Sequence, residues 1–162
     1  MKAVCIEKPW SIGVKDVERV ESNYEESVIK VHAAGICGSD IGAFRGTNNI
    51  VSYPRIIGHE IAGEVISVGT KNPNGIKVGD RVVIDPYTYC GHCYPCSLGK
   101  RNCCRNIKNS NGDFKEALDL ISSKRVDVEK IITKVVSVDE APDTLRDIEK
   151  NPGNYLKVVV RF

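Results

Sequence analysis

Hydrophobic and polar positions alternate along much of the first half of the chain. Met1–Ile6 reads as a strand, and Ser27–Ala33 (SVIKVHA) as another, with Val28, Ile29 and Val31 as its apolar content. Gly35 and Gly38 flank Cys37, which places that cysteine on a turn. Ser39 or Asp40 is the expected N-cap of a short helix that ends near Gly46. Tyr53-Pro54 reads as extended or turn. Glu60–Val68 (EIAGEVISV) is a strand whose interior Gly63 marks a bulge or a tight backbone approach. Residues 71–79 form a loop rich in Asn, Pro and Gly, and Arg81–Ile84 is again a strand.

After Asn106 the period changes. Phe114, Ala117, Leu118 and Ile121 recur at helical spacing, with Asp113 as the expected N-cap. Ile131–Val138 reads as extended. Asp139–Lys150 is a second helix, with Pro142 in its first turn and Ala141, Leu145 and Ile148 on one face. Asn151-Pro152-Gly153 stops it, and Leu156–Val160 is a closing strand. The visible seam is Asn109-Ser110-Asn111-Gly112. It divides a β- and cysteine-rich segment, 1–108, from a helix-bearing segment, 113–162.

The overall composition narrows the possibilities. The chain has 162 residues with 23 Lys+Arg against 21 Asp+Glu, a size and balance that fit one globular domain or two very small ones. The pattern is mainly β with flanking helices. No run of about 18 apolar residues is present, so no membrane span is expected. The N-terminal segment lacks a signal-peptide pattern, which sets a cytoplasmic expectation. Lys100, Arg101 and Arg105 make a local basic cluster without the broad charged footprint of a nucleic-acid binder.

The cysteines carry the chemistry. Five of the seven (Cys90, Cys93, Cys96, Cys103 and Cys104) fall within fifteen residues. Closely spaced thiols in a chain without a secretory signal point to metal rather than disulfides. Cys90-x2-Cys93-x2-Cys96-x7-Cys104 suits a closed tetrahedral zinc site, with Gly91, Pro95 and Gly99 bending the lobe. On spacing alone Cys103 competes with Cys104 for the fourth position. The run lacks the x3 and Cys-Pro ending of a bacterial iron–sulfur motif. A nucleic-acid zinc ribbon would need more aromatic surface than 6 % Phe, Trp and Tyr supply.

A second set is Cys37, His59 and Glu60, a donor set for a zinc with an open position. Asp40 is placed to orient the imidazole of His59 through a hydrogen bond, and Ser39 to relay a proton from a bound alcohol. His32 is expected to be structural, His92 a solvated loop residue, Cys5 a small buried hydrophobe, and Trp10 a packing residue.

Four motifs together resemble the zinc-dependent medium-chain alcohol dehydrogenases. They are Gly35-Ile-Cys37-Gly-Ser-Asp40, Gly58-His59-Glu60-x2-Gly63-x5-Gly69, Val78-Gly79-Asp80-Arg81-Val82, and the cysteine run closing at Cys104. The Cys-Gly-Ser-Asp form, Tyr53-Pro54-Arg55 and Cys-Gly-His-Cys-Tyr-Pro-Cys resemble the polyol, threonine and sugar-acid branch. Val126-Asp-Val128, Ile131-Ile132-Thr133, Asp139-Glu-Ala-Pro142 and Leu156-Lys-Val-Val-Val160 resemble that family's C-terminal end.

The resemblance implies a GroES-like β-barrel catalytic domain. It implies catalytic zinc on Cys37 and His59, and structural zinc on Cys90, Cys93, Cys96 and Cys104; Glu60 is this chain's own candidate for the vacant catalytic ligand position. It also implies a small alcohol or polyol substrate, with NAD(P)⁺ as hydride acceptor in the full-length parent. The family's x7 gap favours Cys104 over Cys103.

The departures are equally specific. No Rossmann domain lies between the two blocks, and no G-x-G-x-x-G occurs. The segment after the cysteine lobe that carries further barrel strands and an acidic zinc ligand is absent. Gly42 stands where many relatives have a proton-relay histidine, and Asn72 is polar where the family prefers a small or branched residue. The expected origin is a deletion within 108–113 that removed the cofactor domain, engineered rather than degenerate because both flanks keep their patterns. Such a chain is expected to be inactive alone. It is also expected to leave sheet edges open to pairing in a homodimer, without nucleic-acid or membrane partners. The competing reading is a non-catalytic zinc module that is structural or binds a partner.

Overall fold

The computed structural model describes residues 1–72, 75–86, 89–106 and 114–162, and of Asn102 and residues 114–116 the backbone alone. Contacts divide the described chain into two compact units, 1–83 with 131–162, and 84–130. The expected junction at 109–112 and the expected Asp113 cap lie outside the described residues.

The first unit is built on two sheets. Strands β1 (Lys2–Lys8), β2 (Ser11–Asp16) and β4 (Arg55–Ile56) form one, in the order β2-β1-β4. Strands β3 (Ser27–Ile36), β5 (Glu60–Val68), β6 (Arg81–Val83), β7 (Ile132–Ser137) and β8 (Lys157–Arg161) form the other, in the order β6-β5-β3-β8-β7. The sequence marks β1, β3, β5, β6, β7 and β8, but not β2 as a separate strand. Val14, Ile12 and Ser11 pair with Val4, Ile6 and Lys8, so β2 returns antiparallel on β1 immediately after a turn. Trp10 makes that turn with φ of 67° and sets its ring edge against Phe44, at a centroid distance of 5.3 Å. It packs as expected yet stays 59 % exposed.

The C-terminal strand enters the middle of the larger sheet. β8 runs antiparallel to β3 and parallel to β7. A parallel pair cannot be joined by a tight hairpin, and helix α4 (Ala141–Lys150) supplies the crossover. Its expected inward face is formed: Ala141 and Leu145 are fully buried, and Ile148 packs beside them. The helix starts at Ala141, two residues later than the expected Asp139, with Glu140 as its N-cap. The core joins Val4, Ile6 and Ile12 to Phe44, Val136, Leu145, Val158 and Val160. β1 and β2, the β7–α4–β8 unit and the short helix α1 (Gly38–Arg45) therefore share one apolar centre.

Gly63 fulfils its expected role. It pairs with Val31 where the β3–β5 register shifts. A Cβ there would stand 2.3 Å from the carbonyl oxygen of Lys30, so only hydrogen fits. Cys5 is buried, as expected of a small hydrophobe, whereas His32 faces outward from β3.

In the second unit, α2 (Tyr94–Ser97) and a 3-10 turn at Arg101–Cys103 fold the cysteine lobe. The expected helix after the seam is α3, Phe114–Ser122. Leu118 and Ile121 on it are 45 % and 40 % exposed.

Candidate metal centres

The turn at Cys37 is set by its own backbone. β3 ends at Ile36 and α1 begins at Gly38, with Cys37 in extended conformation as the N-cap. This corrects the expectation that Ser39 or Asp40 caps the helix. Asp40 is instead the third helical residue, and its Oδ2 accepts the Cys37 backbone N–H at 2.9 Å. The spacing Cys37-x-x-Asp40 is that of a capping box, with cysteine in the place usual for Ser or Thr. Gly46, in left-handed conformation at φ 76°, ends the helix where the sequence placed its stop.

His59 and Glu60 arrive at the start of the neighbouring strand. Glu60 opens β5 opposite Gly35 on β3, so the two strands bring Cys37 and the His59–Glu60 pair to one end of the sheet. One ligand atom from each of Cys37, His59 and Glu60 lies within 4.8 Å of the other two. All three side chains are partly or largely accessible, as an open metal position requires.

The neighbours of His59 are arranged on its two nitrogens. Nδ1 lies 3.7 Å from Asp40 Oδ1, an ion-pair separation longer than a direct hydrogen bond. Ser39 Oγ lies 3.4 Å from Nε2. With Asp40 on the Nδ1 side, Nε2 is the nitrogen left to face a cation. Asp40 itself is 5 % exposed. Burial pushes its carboxyl up from the ordinary range, opposed by the Cys37 N–H, the charge of His59 and the Gly58 N–H.

Glu60 has a partner that sequence reading missed. Lys157 Nζ on β8 lies 2.7 Å from Glu60 Oε2. The two residues are 97 positions apart, and no local pattern announces the pair.

The second cluster lies wholly within unit 84–130. Cys93 Sγ is 3.4 Å from Cys96 Sγ and 3.8 Å from Cys104 Sγ, and Cys104 Sγ is 3.5 Å from Cys90 Sγ. Zinc–sulfur bonds of about 2.3 Å in a tetrahedron give sulfur–sulfur edges of about 3.8 Å. The four thiols therefore already stand close to the corners such an ion needs. Cys104 is buried, whereas Cys103 is exposed and outside the cluster. His92 is exposed, with Nδ1 2.7 Å from the Cys90 carbonyl oxygen.

Backbone donors favour the thiolate at two of the sulfurs, Cys90 and Cys93. N–H groups of His92 and Cys93 draw the Cys90 thiol down to about 5, and those of Arg105 and Cys96 lower Cys93. Burial, followed by the neighbouring Cys93, pushes Cys96 up to about 12. A divalent cation held by these four sulfurs would resolve that conflict by taking them as thiolates.

The alcohol dehydrogenase GroES-like domain model matches residues 23–130. An uncharacterized zinc-type alcohol dehydrogenase-like protein of Haemophilus influenzae is 55 % identical over 108 residues, which are 67 % of this chain and 32 % of that protein. The L-galactonate-5-dehydrogenase of Escherichia coli K12 is 36 % identical over 124 residues, 74 % of this chain and 36 % of that enzyme. The structure of RspB from E. coli CFT073, complexed with NADH, superposes with a TM-score of 0.58 at 30 % identity, covering 85 % of this chain and 49 % of that one. The chain spans about a third of the length of the curated relatives it matches. Among the described residues, no helix is long and apolar enough to cross a membrane. The mainly β architecture, the family model over two thirds of the sequence and these relatives agree: the chain belongs to the zinc-type alcohol dehydrogenase family through its GroES-like domain.

Proposed function

We propose that this chain is the catalytic domain of a zinc-dependent alcohol or polyol dehydrogenase whose parent oxidises a secondary alcohol of a polyol or sugar acid with NAD(P)⁺. The observation that carries the reading is the convergence of Cys37, His59 and Glu60 from two strands onto one accessible point. The L-galactonate, sorbitol and threonine dehydrogenases among its relatives support the substrate class.

In this reading Cys37, His59 and Glu60 hold the catalytic zinc. Zinc, when bound, polarises the substrate hydroxyl and lowers its pKa. The remaining work falls to the chain. Asp40 fixes the Cys37 turn through its backbone N–H and faces His59 Nδ1 with the other carboxylate oxygen. Ser39, exposed beside His59 Nε2, is placed to take the alcohol proton toward solvent. Cys90, Cys93, Cys96 and Cys104 hold a structural zinc that stabilises the lobe.

The hydride acceptor belongs to a cofactor domain, and the 162 residues contain no G-x-G-x-x-G turn to cradle its phosphates. The chain alone is therefore expected to be catalytically silent. β6 and β7 are the outer strands of the larger sheet, and in this reading the chain pairs as a homodimer through such an edge.

The test is metal content with activity. The purified chain, reconstituted with zinc and dialysed, is expected to keep the four-cysteine cluster full and the Cys37, His59 and Glu60 site only weakly filled. Cys37→Ser is expected to lose the metal of one cluster and keep the other. Polyol oxidation by the isolated chain with NAD⁺, at a rate near that of a full-length relative, would overturn the inactivity. Loss of no metal in Cys37→Ser would overturn the catalytic site.

A further inference from the structure

Glu60 carries a counter-ion that the zinc reading leaves without a task. Lys157 Nζ stands 2.7 Å from Glu60 Oε2, with the side chains 29 % and 38 % exposed. The ammonium has a second acceptor, the carbonyl of Ile36 at 3.4 Å. The carboxylate is parked over Gly35, its register partner on β3. A Cβ at position 35 would stand 2.2 Å from Oε2 and 3.2 Å from the Glu60 Cβ. The absence of a side chain at 35 therefore creates the slot in which Glu60 lies.

We propose that Lys157 is a positioning residue that acts as a latch on Glu60, holding the carboxylate as an ion pair and competing with the metal ion for it. The inference rests on the zinc reading of Cys37, His59 and Glu60. A neutral hydrogen-bond donor would orient the carboxylate without opposing a cation. An ammonium opposes it, because a divalent ion on the same carboxylate meets a fixed like charge a few ångströms away. Partial exposure screens this repulsion without abolishing it. The Ile36 carbonyl gives the ammonium somewhere to remain when Glu60 turns to the metal, so exchange strands no charge.

The consequence is that removing Lys157 strengthens metal binding rather than weakening it, the reverse of what loss of an ordinary supporting residue does. The experiment uses the full chain with the four-cysteine cluster filled by zinc and Co²⁺ titrated into the second site. Thiolate-to-cobalt charge-transfer absorption and competition with a chelator are the readouts. Wild type is expected to show the band, and Cys37→Ser to lack it. Lys157→Met is expected to bind Co²⁺ roughly tenfold more tightly, with a changed ligand-field spectrum as Glu60, released from the ion pair, shifts further onto the metal. Lys157→Arg, which keeps the charge, is expected to stay within about twofold of wild type. If Lys157→Met fails to fold, Lys157→Gln carries the same expectation. A neutral variant that binds with wild-type or weaker affinity and an unchanged spectrum overturns the latch while leaving the zinc reading standing. Absence of the band in wild type overturns both.

Discussion

Asp40 Oδ2 accepts the backbone N–H of Cys37 at 2.9 Å, so the buried carboxylate fixes the turn that presents the thiol. Asp40→Ala removes the acceptor from the first turn of α1. The expected loss is about 1–2 kcal/mol of stability, read from denaturant midpoints. Asp40→Asn keeps an oxygen acceptor and is expected to recover most of it. If Asp40→Ala unfolds with wild type, the turn is held by something else.

Gly63 faces the Lys30 carbonyl oxygen with no room for a Cβ, and Ile29 Cγ2 would lie 2.7 Å from one. Backbone on one side and a β-branched side chain on the other leave little to yield. Gly63→Ala is expected to cost about 1–3 kcal/mol and to widen amide exchange along β3 and β5. Gly13 has nothing within 4 Å of its Cβ position, so Gly13→Ala serves as the control and should change little. Equal stabilities for the two variants would mean the β3–β5 approach is not tight.

The acid limb of stability has an assignable contributor. Glu140 Oε2 accepts both the backbone N–H and the hydroxyl of Ser137, at 2.8 and 2.6 Å. The hydroxyl, then the N–H, hold its carboxyl below the ordinary 4.5. A carboxyl whose folded pKa is depressed stabilises the fold above its unfolded value. That contribution fades as pH falls through the folded one. Between about pH 5 and 3, Glu140→Gln is therefore expected to flatten the fall of melting temperature with acid. A variant as acid-sensitive as wild type would assign the limb elsewhere, with Asp147, lowered by Tyr155, the next group to test.

Local pattern revealed the pieces whose causes are local. Alternation placed β1, β3 and β5, and the 3.6 period placed Ala141, Leu145 and Ile148 on the inner face of α4. The lone glycine in β5 announced a close approach that the register then located at Lys30. Long-range pairing was not legible. Nothing near Lys157 says that its strand enters between β3 and β7, and so nothing says that its ammonium meets Glu60. The helix cap was misplaced for a different reason. Ser and Asp are the usual capping side chains, whereas Cys37 takes the position through backbone conformation and Asp40 closes the box from inside the helix.

The choice between Cys103 and Cys104 turns on one peptide unit. The 3-10 turn ends at Cys103, and Cys104 leaves it in extended conformation, with φ −55° and ψ 130°. That change of direction buries the Cys104 sulfur against Cys90 and Cys93 and leaves Cys103 in solvent. Cys104→Ser replaces a soft anionic donor with a hydroxyl at one corner of the cluster. It is expected to lower zinc retention during chelator dialysis and the cooperativity of thermal unfolding in the lobe. Cys103→Ser is expected to keep wild-type zinc content and melting behaviour, and to lose one exposed thiol. The metal content of the two variants under the same chelator is the deciding measurement. If Cys103→Ser releases the zinc while Cys104→Ser holds it, the lobe closes on the neighbouring sulfur and the extended step after the turn does not select the fourth ligand.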